Sequence, residues 1–410
     1  MRARQWAALA LVTATLAAGC GSKGQASKGA TGDTLRFGAS LSLTGGLARE
    51  GGLTKEGYEV CQKAVNVKGG VQVGSKRLKL EIQYQDDTSK PDTSAQLIDQ
   101  FNDKGVQLVL GPYGSATTEA AAAVVERNGQ VMSDSSGAED LIFTKGYRQT
   151  FAVLSSARQY AAVMVQALNE SAVPKPTTVA FLSADDGFSM TVTQGGTDEA
   201  RKLGFKVLAT EYFPSGTTDV SSALTKIKPL KPDVIIGSVH LAEGIAIIKQ
   251  SRELGISPSG GFAETVAPPT PDFASSLGKA ADGVLGSTQW SSRTAGKDKW
   301  IGTADDYIKL FAGQYGGRKP EYHAAEATAA CIAMVDAVEK AGSTDPDRVR
   351  DAFAALDEST FFGPLKFNSA GQNIAKTMEV MQVRNGKPVT VWPKAVAESP
   401  MVWPAMGNHS

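Results

Sequence analysis

The sequence predicts an α/β protein built as two doubly wound parallel-sheet lobes. Apolar runs of strand length alternate with segments of helical period along most of the chain, the pattern that βαβ crossovers produce. The alternation completes itself twice, once by Phe151 and again from Thr177. At 410 residues the chain is also too long for one compact core.

The first element is a leader. Arg2 and Arg4 precede an apolar stretch from Trp6 to Ala18 that ends in Leu16-Ala17-Ala18-Gly19-Cys20. A basic start, an apolar run and small residues before a cysteine predict a lipoprotein signal peptide over 1–19 and a lipid on Cys20. A plain secretory leader with an incidental cysteine is the alternative; the scarcity of cysteine, three in the whole chain, favours the anchor. Residues 20–33 are rich in Gly, Ser, Lys and Ala without apolar periodicity, and read as a flexible tether.

Order is expected from Leu35. Strands are predicted at 35–43, 78–85, 106–110, 130–133, 178–183, 206–212, 233–239 and 283–288, with helices at 55–67, 93–104, 116–127, 158–169, 191–203, 220–227 and 242–254. Asp92 is placed to cap the second of these helices and Gly105 to end it, and Gly204 and Gly255 close later ones. Residues 328–341 set Ile332, Val335 and Val338 at helical spacing, a helix with one buried side. Strands follow at 364–367 and 378–384.

With 42 basic and 42 acidic residues, no global charge points to nucleic acid or to an anionic bilayer. Beyond the leader no apolar run approaches the ~20 residues of a membrane helix, so the lipid is the one membrane contact expected. Catalytic patterns are missing as well: there is no Gly-x-Ser-x-Gly elbow, Gly-x-Gly-x-x-Gly turn, phosphate-binding lysine loop or His-Glu-x-x-His helix. The histidines are His240, His323 and His409. In the pairs Asp86-Asp87, Asp185-Asp186 and Asp305-Asp306 neighbouring side chains point apart, so each reads as a loop or cap rather than an acid/base dyad. No enzyme activity, cofactor or metal is expected. Cys61 and Cys331 either oxidise together or pack as buried thiols; both sit in helix-like segments, which favours the thiols.

In open parallel sheets ligands bind beyond the carboxyl ends of strands. After the strand ending at Leu110 comes Gly111-Pro112-Tyr113-Gly114-Ser115-Ala116, a glycine-bearing turn that opens a helix. Its N–H groups, the helix dipole and the Ser115 hydroxyl suit an anion, and without a following lysine a carboxylate fits better than a polyphosphate. An ordinary N-terminal turn is the alternative, and this segment alone does not decide. Ser133-Asp134-Ser135-Ser136-Gly137-Ala138 reaches the same rim. In the second half Phe188 and His240 each follow a strand, as packing or as recognition, and Glu264 offers a carboxylate to an ammonium group.

These residues resemble the type I periplasmic solute-binding proteins of ABC importers, in the branch of the leucine/isoleucine/valine-binding protein. The resemblance runs from Leu35 to about Lys387. It is carried by Ser42-Leu43-Thr44-Gly45-Gly46, Asn66-x-x-Gly69-Gly70-Val71, Tyr84-x-Asp86-Asp87, Leu110-Gly111-Pro112 with Ser115, Thr217-x-Asp219-Val220, Lys231-Pro232-Asp233-Val234 and Gly363-Pro364-Leu365-x-Phe367. It implies that Ser115, on the turn with the candidate ligand-binding residues Tyr113 and Gly114, grips a ligand carboxylate, that Ser136 and Ala138 lie on the loop gripping both ends of an amino acid, that Phe188 and His240 face the ligand, and that Glu264 receives its α-ammonium. Glu264→Ala would then weaken binding by roughly 2–5 kcal/mol. Ala138, His240 and Glu50 depart from the family's residues at their positions, and the disulfide known in the family has no counterpart.

The resemblance further implies a three-segment hinge, with crossings near Phe151, Gln289–Trp290 and Phe362–Gly363. The first lobe would comprise 34–150 plus 289–362, the second 151–288 plus 363–395, and 396–410 would form a C-terminal tail. The expected function is capture of an amino acid or similar small zwitterion by a lipid-anchored monomer on the outer face of the cytoplasmic membrane or in the periplasm. ABC permease subunits would be the partners. The alternative is a ligand-sensing receptor module for a small amide or metabolite.

Overall fold

The computed structural model describes residues 30–405, so the predicted signal peptide and Cys20 lie outside the described residues. The chain opens with β1 (Ala30–Thr31) folded back on β2 (Thr34–Leu41), so the expected tether is already paired backbone before it ends at residue 33. There follow α1 (Ala48–Val67), β3 (Val71–Val73), β4 (Lys76–Asp86), α2 (Pro91–Asp103), β5 (Leu108–Leu110), α3 (Ser115–Asn128), β6 (Val131–Asp134) and β7 (Thr150–Ala152). These strands form one sheet in the order β3-β4-β2-β5-β6-β7, with β1 beside β2. The chain then builds α4 (Ala157–Ser171), β8 (Thr178–Ala184), α5 (Gly187–Lys202), β9 (Lys206–Phe213), α6 (Ser221–Ile227), β10 (Val234–Ser238), α7 (Leu241–Glu253), β11 (Gly261–Glu264), α8 (Pro271–Leu277) and β12 (Leu285–Thr288). It returns to the first lobe for α9 (Ala304–Gln314), α10 (Tyr322–Ala341), α11 (Pro346–Ala354) and the hairpin β13 (Asp357–Thr360) with β14 (Gly363–Lys366), and closes with β15 (Glu379–Arg384) and β16 (Lys387–Trp392). The second sheet runs β16-β15-β12-β11-β10-β8-β9, so the predicted class of two α/β lobes is what the chain adopts.

The central strands explain why the apolar runs were legible. β2, β5, β6 and β10 are buried on both faces, and such strands read as continuous apolar stretches. Helix ends were less so. Pro91 occupies the first turn of α2 and Lys90 its N-cap, which moves Asp92 inside the helix, where it faces the dipole but caps nothing. Helix α10 is buried from Tyr322 to Val338 rather than on one side, because α1, α11 and the sheet surround it, and it begins six residues before the predicted start.

Cys61 and Cys331 are disulfide-bonded, with Cα atoms 6.1 Å apart, correcting the preference for free thiols. The cause is close helix approach. Gly57 of α1 lies so near α10 that a Cβ would fall 2.1 Å from the Ala324 carbonyl, which brings the two buried sulfurs together.

The chain passes between sheets after β7, after β12 and before β15. The third passage comes later than Phe362–Gly363, because Gly363 begins a strand paired with β13 and Leu365 and Phe367 pack into the first lobe's core. The three passages are tied together at one buried point. Gln289 accepts the Ser155 N–H at 3.1 Å and donates to the Ser155 carbonyl at 3.2 Å, while Lys376 donates to the Gln289 carbonyl at 2.6 Å and its own carbonyl accepts from Ser155 Oγ at 3.3 Å. Residues 396–405 are not a loose tail. The Trp403 ring lies over Gly260, its Nε1 donates to Pro174 at 2.8 Å, and Val402 exchanges two hydrogen bonds with Gln382, so apolar area and paired backbone hold this segment to the second lobe.

Candidate ligand site between the lobes

In the first sheet β2 lies between β4 and β5, and in the second β8 lies between β9 and β10. Successive crossovers therefore leave in opposite directions and open a crevice at the strands' carboxyl ends. A small cavity lies between the lobes where the two crevices meet. The lobes touch around it: Arg49 of α1 meets Asp272 of α8 at 2.7 Å, and a Cβ on Gly187, at the start of α5, would fall 2.4 Å from the Glu139 carboxylate.

On the first lobe, α3 starts at Ser115 directly after Gly114, whose φ of 88° suits glycine alone. Among the described residues no side chain caps this helix. Its first-turn N–H groups therefore have no partner within the helix, and Tyr113, Gly114 and Ser115 line the cavity where they emerge. The Ser115 hydroxyl accepts the Glu139 N–H at 3.2 Å. Ser136 also lines the cavity, set in place by Asp134, whose carboxylate accepts the N–H groups of Ser136 and Gly137 at 3.0 and 2.8 Å. Burial pushes Asp134 up to about 6, against the pull of those bonds. Ala138 does not reach the cavity. The loop turns after Ser136, so Ala138 packs in the apolar core and its carbonyl accepts the N–H of Ala157 at 2.8 Å.

On the second lobe, Phe188 sits in the first turn of α5, whose N-cap Asp186 accepts the Ser189 N–H at 2.9 Å. His240 holds the N-cap position of α7, with Nε2 3.9 Å from the Asp186 carboxylate. Both rings line the cavity. So do Tyr160, Val266, Tyr322, His323 and Glu326, none of which the sequence reading placed there. Ring contacts run unbroken across the lobes: Tyr160 to Phe188 at 5.2 Å, Phe188 to His240 at 5.3 Å, His240 to Tyr113 at 6.4 Å, Tyr113 to His323 at 5.5 Å and His323 to Tyr322 at 3.9 Å. Val266 holds φ at 54°, a strained value for a β-branched residue, at the centre of a tight turn closed from Ala267 N–H to the Thr265 carbonyl.

Glu264 is not in this cavity, contrary to the expectation that it meets an ammonium there. Strand alternation sends it to the same face of β11 as Phe262, toward α7, where a Cβ on Gly244 would come within 2.7 Å of its Oε2. It is fully buried, neither oxygen has a hydrogen-bond partner among the described residues, and burial pushes its pKa well above the usual carboxylate range.

The carboxylate that does line the cavity is Glu326. Helix α10 is capped by Glu321, which accepts the N–H groups of His323 and Ala324 at 2.9 Å and lies 2.5 Å from His323 Nδ1. Burial raises Glu321, but the His323 charge and these bonds outweigh it and hold the group below its usual value. Glu326 follows one turn later, 1% exposed; burial, then the charges of Glu321 and Asp134, push its pKa well above the ordinary range. With α10 predicted to start at residue 328, Tyr322, His323 and Glu326 were read outside any helix. Recognising Glu321 as a cap would have put all three on its opening turns.

A family model described as periplasmic binding protein matches residues 34–388. The chain belongs to that family. Its likeness to the Leu/Ile/Val-binding branch extends to Leu/Ile/Val-binding protein homolog 7 of Brucella suis, 24% identical over 381 residues that cover 89% of this chain and 93% of the relative. Among solved structures, the branched-chain amino acid transporter substrate-binding protein LivJ of Streptococcus pneumoniae, in complex with isoleucine, superposes with a TM-score of 0.76 at 21% identity, covering 90% of this chain and 99% of that one. A solute-binding protein of an ABC transporter from R. palustris, in complex with benzoate, superposes with a TM-score of 0.73 at 18% identity, covering 90% and 98%. In this periplasmic binding protein the fold is thus the frame shared with those structures.

Proposed function

We propose that this chain is an extracytoplasmic lipoprotein that captures an amino acid or related small carboxylate and presents it to an ABC importer when its lobes close. The observation that carries the reading is the start of α3, which offers N–H groups and the Ser115 hydroxyl to a cavity shared by both lobes. A carboxylate seated there accepts several hydrogen bonds and meets the positive end of the helix. Hydrogen bonds to a charged group contribute about 1.5–3 kcal/mol each. Two or three of them make up much of the −8 kcal/mol or so of a micromolar complex.

Ser136 extends the polar wall, and Phe188, His240 and Tyr113 take the rest of the solute. Because the donors come from one lobe and Phe188 and His240 from the other, a bound solute touches both and favours the closed arrangement. The names of the Brucella and Streptococcus relatives support an amino acid, and the benzoate complex of the R. palustris protein supports the wider class of small carboxylates. The leader motif supports the anchor, which is tested by the mass of the processed N-terminal peptide: an unmodified Cys20 removes it.

Titration calorimetry of the mature chain against the twenty amino acids tests the capture itself. Ser115→Ala is expected to weaken the best of them by about ten- to a hundredfold, the effect of losing one charge-assisted bond. An unaltered dissociation constant would take the start of α3 out of the grip.

A further inference from the structure

We infer that Glu326 receives a positively charged group of the solute, so that the ligand is a small carboxylate that also bears a protonated amine and both polar ends are gripped by the first lobe. The inference rests on the cavity being the solute site. Glu326 is buried and lines that cavity, yet only Oε1 has a neighbour, the Ser136 hydroxyl at 3.5 Å, and Oε2 has no partner among the described residues. A carboxyl left half-satisfied in a protein interior is unfavourable unless a donor arrives. Among the described residues no lysine or arginine lines the cavity. The buried base closest in charge influence, Lys376, already donates to the carbonyls of Gln289 and Thr377.

The surroundings favour a cation for a second reason. The ring chain from Tyr160 to Tyr322 walls the same cavity, and aromatic faces attract an ammonium once water is excluded. With a carboxylate on the α3 start and an amine at Glu326, the second lobe contributes rings rather than charge. That assignment differs from a grip in which the amine is held across the cleft by Glu264.

Calorimetry on the mature chain separates this inference from the one beneath it. The probes are whichever of the twenty amino acids binds best and the same skeleton without its amine, for example L-phenylalanine against 3-phenylpropionate or L-leucine against 4-methylpentanoate. The amine-bearing member is expected to bind at least about tenfold tighter, and Glu326→Gln is expected to remove most of that preference while leaving the des-amino acid's affinity within about twofold. Equal binding of the pair by the unmodified protein, which needs no variant to fold, would overturn the role of Glu326 and leave carboxylate capture standing. A preference that survives in a folded Glu326→Gln protein would overturn it too. If none of the twenty amino acids binds while an amine-free carboxylate such as benzoate does, the role of Glu326 falls and carboxylate capture stands; if neither binds, both readings fall together.

Discussion

An unpartnered carboxyl buried in an apolar core destabilises a fold by about 1–3 kcal/mol, and Glu264 is such a group. Replacing it by Leu should therefore raise stability by about that amount, as seen by calorimetric melting, while solute affinity stays within about twofold. The sign of its pH dependence follows from burial. With a folded-state pKa raised above the unfolded value, Glu264 favours the native state most below the unfolded carboxylate pKa, and that contribution is lost as pH rises through the folded one. Denaturant titrations from about pH 5 to about pH 9 should show Glu264→Gln flattening part of the alkaline decline. A large loss of affinity in either variant would put the residue back in the cavity. The chemistry of Glu264 was legible in the sequence; the face of β11 it takes was not, because one residue of register reverses every side chain of a strand.

At the scale of elements, the pairing of α1 with α10 matters most. The Cys61–Cys331 bond joins helices 270 residues apart in sequence, and α10 carries Tyr322, His323 and Glu326. Replacing both cysteines by Ala should lower stability by about 2–5 kcal/mol. The close seat of Gly57 against Ala324 does not depend on the sulfurs, so the helix and its cavity residues should stay in place and affinity should change little. Melting curves with and without reductant measure this, and coincident curves would mean the bond adds nothing to the packing. Strands and long helices could be read from periodicity, whereas helix starts could not: α2 and α10 begin at a proline and a glutamate cap rather than at the residue where apolar spacing starts.

For the whole molecule, the contacts that join the two lobes are few and specific enough to name. Arg49 and Asp272 meet across the mouth of the cleft, each side chain 38% exposed, so their attraction is screened and modest. Asp272→Asn should weaken solute binding by no more than about fivefold, an effect that shrinks as salt approaches about 0.5 M, and should widen the ligand-free particle in solution scattering. Identical affinity and scattering would show that the pair is not a latch. The knot of Ser155, Gln289 and Lys376 is the complementary device: it joins all three passages at one buried point and reaches the cavity through Gln289 Nε2, which donates to the Tyr160 hydroxyl at 3.0 Å.

The sequence by itself determined the fold class, most of the strands, the family and the turn at Tyr113-Gly114-Ser115 that opens a helix beside the cavity, because each depends on local periodicity or on a turn chemistry that neighbouring residues dictate. Only the tertiary structure decided which carboxylate faces the cleft, that Cys61 reaches Cys331, where the third passage crosses, and that residues 396–405 pack against the second lobe. Those outcomes depend on contacts between segments far apart in the chain, set by strand register and by how closely two helices approach, and no local pattern carries that information.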